Sequence, residues 1–239
     1  RVVGGLEKKN KMTTEEERHS IALHEAGHAT VSWFLQYANP LVKVTIVPRG
    51  KALGAAWYLP EERQITTTQA LRDQMCATLA GRAAEEVFLG RISTGAANDL
   101  EHTTKTAYAM VAYYGMSDKL PNVNYYDMQG DGYGLTKPYS DRTAELIDEE
   151  AREIVRVEYE RAKELLREHA EGLKTLTQLL LDREVIYTED VEHIFGKRPW
   201  VSRTDEMILE REEKNQEKEQ GQEQESTTPT TDTEATSNE

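Results

Sequence analysis

Two histidines one helical turn apart, inside a stretch of small and apolar residues, constrain this chain more than any other feature. His24-Glu25-Ala26-Gly27-His28 lies within a segment that opens with a helix-start signal. Thr14 is followed three residues later by Glu17, a capping-box spacing, and Glu15 and Glu16 suit the positive end of a helix. The pattern predicts a helix running to about Gln36. Four residues advance a helix by slightly more than one turn, so both imidazoles leave the same face. Ile21, Ala22, Ala26, Ala29 and Val31 imply that much of this helix is buried. Ordinary solvated or packed histidines are the bland alternative. Burying two histidines and a glutamate without a shared partner is costly, however. Two neutral imidazole nitrogens at that separation can hold one Zn²⁺. Glu25, next to the first histidine, is placed to take a proton from a water rather than to ligate the ion.

A catalytic zinc site usually takes three protein ligands. Three candidates for the third follow from the residues. A second helix is predicted over about 69–89, with N-caps offered by Thr66, Thr67 and Thr68 and a stop at Gly90. At 100° per residue, Glu86 falls between Met75 and Leu79 on its apolar face, with Glu85 at the edge of that face. Asp99 opens a third helix, about 98–114, after the flexible run Ser93-Thr94-Gly95-Ala96-Ala97-Asn98. His102 follows one turn later and reads as a surface histidine or one close to the site. Glu86 alternatively pairs with Arg82, and Asp99 alternatively serves as an ordinary carboxylate at a helix start. Spacing does not rank the three.

Between the first two helices, Val42-Lys43-Val44-Thr45-Ile46 alternates as a half-buried strand, and Ala55-Ala56-Trp57-Tyr58 reads as its returning partner after Pro48-Arg49-Gly50. Residues 116–139 read as a long irregular loop. Helices are expected over about 140–168 and 171–182, with a short last one from Thr188 to before Gly196. The fold class is therefore mainly α, with a small β-hairpin or edge strand near the active site. Residues 1–12, with Gly4-Gly5, look like a linker from a preceding domain; 13–200 form the main domain; 201–239 form an acidic, mostly disordered tail with a helical stub to about Gln220. No internal repeat is visible.

Charge excludes one class of function. The chain carries −14 over 239 residues, and neither the tail nor the remainder is basic. There is thus no electrostatic footprint for nucleic acid. The single cysteine, Cys76, cannot form an internal disulfide. No apolar run approaches the ~18 residues of a membrane span, and no signal peptide is visible. The chain begins at Arg1, as a piece of a longer protein would.

His24-Glu25-Ala26-Gly27-His28, then Gly81-Arg82-Ala83-Ala84-Glu85-Glu86, then Thr94-Gly95-Ala96-Ala97-Asn98-Asp99-Leu100, in that order, resemble the peptidase domain of the FtsH family of membrane-bound AAA zinc metalloproteases. The likeness runs from about residue 1 to about residue 198. Arg1-Val2-Val3-Gly4-Gly5-Leu6-Glu7-Lys8-Lys9 resembles the end of the family's ATPase module. Pro48-Arg49-Gly50 and Leu135-Thr136-Lys137-Pro138-Tyr139-Ser140 look most like mitochondrial matrix-facing members and their bacterial relatives. Glu101-His102-Thr103-Thr104 departs from the family's usual Ala-Thr after the aspartate, which leaves the metal set intact.

The resemblance implies one Zn²⁺ per chain, held by His24, His28 and Asp99, with Glu25 catalytic and Glu86 orienting the site. It implies ATP and Mg²⁺ only in an ATPase module outside this chain, a homo-hexameric ring, and unfolded polypeptide as substrate. Membrane attachment would come only through segments N-terminal to this chain. The location would be the inner membrane of a bacterium, facing the cytoplasm, or the matrix side of the mitochondrial inner membrane. An extended substrate is expected to pair with the strand at Val42–Val47 or at Ala55–Tyr58, which makes Val44, Ile46, Ala56 and Tyr58 the candidate substrate contacts. The alternative for that strand is a structural hairpin packed on the helices. Two other functions fit less well: a ring-forming scaffold that holds substrate without cutting it, and a hydrolase of short peptides.

Overall fold

The computed structural model describes residues 14–48, 54–59, 65–125 and 139–201. The expected linker at 1–12 and the tail beyond Val201, with its helical stub, lie outside the described residues. Helix α1 spans Glu15–Phe34 and starts where the capping signal places it. The Thr14 hydroxyl accepts from the Glu17 N–H, and the Glu17 carboxylate accepts from the Thr14 N–H at 2.8 Å. It ends two residues before the expected Gln36. The chain then turns into strand β1, Leu41–Thr45, and returns as β2, Ala55–Tyr58.

Helix α2, Thr68–Leu89, is capped by the Thr67 side chain and closes at Gly90. A 3₁₀ turn at Thr94–Ala96 feeds α3, Ala97–Tyr108, which runs on into a π-helical turn at Ala109–Tyr113. Within the expected long loop, the described part is held by a Met116–Pro121 bridge and by a Tyr125 N–H donated to the Ala112 carbonyl. Helix α4 spans Asp141–Glu168, capped by Ser140, and α5 spans Ala170–Arg183. Strand β3, Val185–Tyr187, leads directly into α6, Thr188–Phe195. The fold is mainly α, as the sequence indicates.

The sheet has the order β2-β1-β3, antiparallel throughout. Val44 pairs with Ala56 on one side and with Ile186 on the other. The expected hairpin is thus present, and a third strand that sequence periodicity did not reveal joins it. Three residues are too few to display an alternation.

Small residues set the distance between α1 and α2. Ala22, Ala26 and Ala29 are fully buried on α1, as are Ala80, Ala83 and Ala84 on α2. At Gly27 the helices touch: a Cβ there would stand 2.7 Å from the Ala80 carbonyl oxygen and 2.8 Å from the Ala84 Cβ. Leu166, Leu173, Leu176, Leu180 and Ile186 complete the core around α1. A second cluster, Met75, Met110, Val111, Ile147 and Ile154, packs α4 and the π turn against α2. The far end of α1 is tied down from the C-terminal side, where Trp33 Nε1 donates to the Gly196 carbonyl and Trp200 Nε1 to the Phe34 carbonyl. Among the described residues, no helix is long and apolar enough to cross a membrane.

Candidate metal centre

Helix α1 delivers His24 and His28 from adjacent turns of one face, with ring centroids 4.7 Å apart. The first turn of α3 contributes Asp99. His24 Nε2 and His28 Nε2 lie 3.1 Å apart, and Asp99 Oδ2 stands 3.3 Å from the first and 3.5 Å from the second. One donor atom from each of the three residues falls within 4.8 Å of the others.

The outer nitrogens explain what this cluster can hold. His24 Nδ1 faces Glu85 Oε1 at 2.7 Å, and His28 Nδ1 faces the Ala77 carbonyl at 2.9 Å. Both partners only accept, so both Nδ1 atoms carry the proton. A neutral imidazole has one N–H, so both Nε2 atoms then present lone pairs. Two lone pairs and a carboxylate oxygen converge on one point with no donor among them. Such a set repels itself unless a cation sits at its centre, and two nitrogens with one oxygen suit zinc. The donor set therefore fits the metal that the resemblance implies.

Electrostatics point the same way. Burial works against charge on His24, yet the Asp99 and Glu85 carboxylates, with Glu25 adding to them, push its pKa up to about 10. Burial also disfavours the Asp99 carboxylate, but the hydrogen bonds and charges of both imidazoles hold it well below its usual range. Without a metal, a proton takes the place the cation would occupy. Glu25 is buried beside this cluster at 8% exposure. Burial pushes its pKa up, against the pull of His28 and His24. Its carboxylate accepts the Ala56 N–H of β2 and is not one of the converging donors.

Two sequence expectations are corrected. Glu86 does not face the histidines. It accepts from Tyr159 Oη and from Lys163 Nζ, the latter at 2.9 Å, both on α4, and its side chain is 44% exposed. The neighbouring Glu85, 2% exposed, holds His24 instead. The reason is that α2 lies between two helices. Its large residues, Met75 among them, face α4, and Glu86 shares that side. The face towards α1 is the stripe Ala77, Gly81, Glu85, spaced by four. That stripe of small residues ending in an acid is the signal that locates Glu85.

The second correction concerns the strand. Val44 is fully buried and Ile46 nearly so. β1 has a strand on each side, and the Ile46 N–H is donated to the Glu184 carbonyl. Neither residue offers a free edge to a substrate. Among the described residues, β2 has one strand partner, β1. The Leu59 N–H that follows it is donated to the Pro40 carbonyl and its Ala56 N–H to the Glu25 carboxylate. The Tyr58 hydroxyl lies 3.0 Å from Ser32 Oγ, one helical turn beyond His28. His102 is exposed and stays outside the cluster.

A family model described as peptidase family M41 matches residues 11–194. The chain belongs to peptidase family M41. It is 71% identical over 214 residues to the "ATP-dependent zinc metalloprotease FtsH" of Parabacteroides distasonis, a match covering 90% of this chain and 31% of that protein. The protein of the same name from Rhodothermus marinus is 52% identical, over 84% of this chain and 29% of its own length. The mitochondrial "ATP-dependent zinc metalloprotease FTSH 3" of Arabidopsis thaliana is 51% identical, over 84% of this chain and 25% of its own length. This M41 chain spans about a third or less of each of these relatives.

Proposed function

We propose that this chain is the peptidase domain of an ATP-dependent zinc endopeptidase. Its substrates are unfolded polypeptides, fed by an ATPase module that lies outside this chain. The observation that carries the reading is the convergence of His24 Nε2, His28 Nε2 and Asp99 Oδ2, with both Nδ1 atoms committed elsewhere. The names of the relatives, bacterial and mitochondrial, support zinc and ATP dependence. The family resemblance supports a ring of six copies, in a bacterial inner membrane or its mitochondrial counterpart.

Zinc in this site supplies Lewis acidity, which acidifies a water molecule and polarises the scissile carbonyl. Glu25 acts as the proton carrier. Its carboxylate takes one proton from the attacking water and returns it to the departing amide nitrogen, so the bond broken is C–N and both products are neutral in bookkeeping of protons. The edge of β2 aligns the substrate as an added antiparallel strand through the Tyr58 backbone groups and the Ala56 carbonyl, while the Ala56 N–H stays with Glu25. Pairing through the main chain tolerates many sequences, as a degradative enzyme requires.

The 239-residue chain is expected to cut casein, to stop after chelation, and to recover with one equivalent of Zn²⁺. Loss of zinc without loss of cleavage would overturn the proposal. Binding should also displace the His24 proton. Because its pKa stands near 10, the group is protonated at pH 7 and must lose that proton to ligate. Calorimetry in buffers of different ionisation enthalpy is expected to show about one proton released per zinc at pH 7, and an apparent affinity that weakens as pH falls. No proton release at that pH would mean that His24 is already neutral before the metal binds.

A further inference from the structure

Glu85 holds more than His24. Its Oε1 accepts from His24 Nδ1 at 2.7 Å and from the Ser93 hydroxyl at 3.0 Å. Its Oε2 accepts the Ser93 N–H at 2.7 Å. The Ser93 oxygen in turn accepts the Gly95 N–H at 3.1 Å and caps the 3₁₀ turn at Thr94–Ala96. That turn runs without a break into α3, whose third residue is Asp99. A hydroxyl donates one hydrogen bond and accepts up to two, so Ser93 uses both capacities here. One side binds the carboxylate that fixes His24; the other shapes the turn that brings in Asp99.

We propose that Ser93 is a positioning residue that couples the arrival of Asp99 to the orientation of His24. The inference rests on the metal reading above. The turn before Asp99 is exposed from Arg91 to Gly95. Exposed 3₁₀ turns fray readily, since their hydrogen bonds are poorly directed. The Ser93–Glu85 clasp sets the angle at which α3 starts. Ser93 therefore acts on the metal through Asp99, although its own side chain touches neither the metal donors nor the reacting atoms. Ser93 is an exposed position, and its N–H keeps its bond to Glu85 when the hydroxyl is removed, so the fold does not depend on that hydroxyl.

The test is a double-mutant cycle on the Zn²⁺ dissociation constant, measured by competition with a chromophoric chelator on the whole 239-residue chain. Ser93→Ala is expected to weaken zinc binding roughly tenfold, within the span seen when groups supporting metal ligands are removed. Ser93→Thr, which keeps the hydroxyl, should stay near wild type. In the Asp99→Ala background the added Ser93→Ala change should shift affinity less than about twofold. The thermal midpoint of the metal-free chain should not move. If Ser93→Ala weakens binding equally with and without Asp99, or lowers the metal-free midpoint, the coupling proposal fails. If the wild-type chain binds no zinc, the metal reading itself fails, which is a separate result.

Discussion

Glu25→Gln is expected to lower casein hydrolysis by about 10²–10⁴-fold while zinc content stays at one per chain. The substitution keeps the size and shape of the side chain and removes only its ability to take up a proton. Glu25 is not among the three converging donors, so the affinity for metal should be spared. Its bond from the Ala56 N–H should survive too, because an amide oxygen accepts as a carboxylate oxygen does. The edge strand then stays in register with the site, and substrate binding should change little. KM near the wild-type value with a collapsed kcat is the signature of a lost proton carrier. Cleavage within tenfold of wild type would remove Glu25 from the mechanism. A loss of zinc alongside the loss of activity would make it part of the metal site instead.

Much of this arrangement was legible in the sequence because it is local. Thr14 and Glu17 determine where α1 begins. The interval of four between His24 and His28 is a statement about one helix, and the geometry follows from helical pitch alone. The mainly α fold and the hairpin at Leu41–Thr45 and Ala55–Tyr58 also follow from short-range pattern. Asp99 is different. Three residues competed for the third place, and only the path of the chain between α2 and α3 brings one of them within 3.5 Å of both imidazoles.

Where the sequence misled, it did so for a three-dimensional reason. A helical wheel assumes one buried side, and α2 has two. Its bulky side packs on α4, while its small side admits the imidazoles of α1. The wheel therefore put Glu86 on the apolar face and Glu85 at its edge, and the family resemblance gave the orienting role to Glu86. Strand pairing is equally non-local. Nothing at Val44 or Ile46 announces that Val185–Tyr187, some 140 residues on, closes the second edge of β1. Among the described residues, the outer edge of the sheet falls to β2 because β3 occupies the other side of β1.

Gly81→Ala should damage the metal site through a single methyl. A Cβ at this position would fall on the His24 ring, against Nε2, Cδ2 and Cε1. The ring has no room to retreat, since Glu85 holds its Nδ1 and Asp99 faces its Nε2. The helices cannot separate freely either, because Gly27 already packs against the Ala80 carbonyl and the core closes around them. Overpacking of this kind costs about 1–3 kcal/mol in a urea titration. If the ring swings out instead, its bond to Glu85 breaks, and zinc affinity should drop by roughly 10–100-fold. The His24→Ala background separates this contact from any general effect of the substitution. With the imidazole gone, the new methyl has space, and alanine is a better helix former than glycine by about 1 kcal/mol. Gly81→Ala should then be neutral or stabilising. A change of sign between the two backgrounds means that the glycine is there for the histidine. The same penalty in both would mean that Gly81 serves the packing of α1 on α2, and that the imidazole owes its position to Glu85 and Asp99 alone.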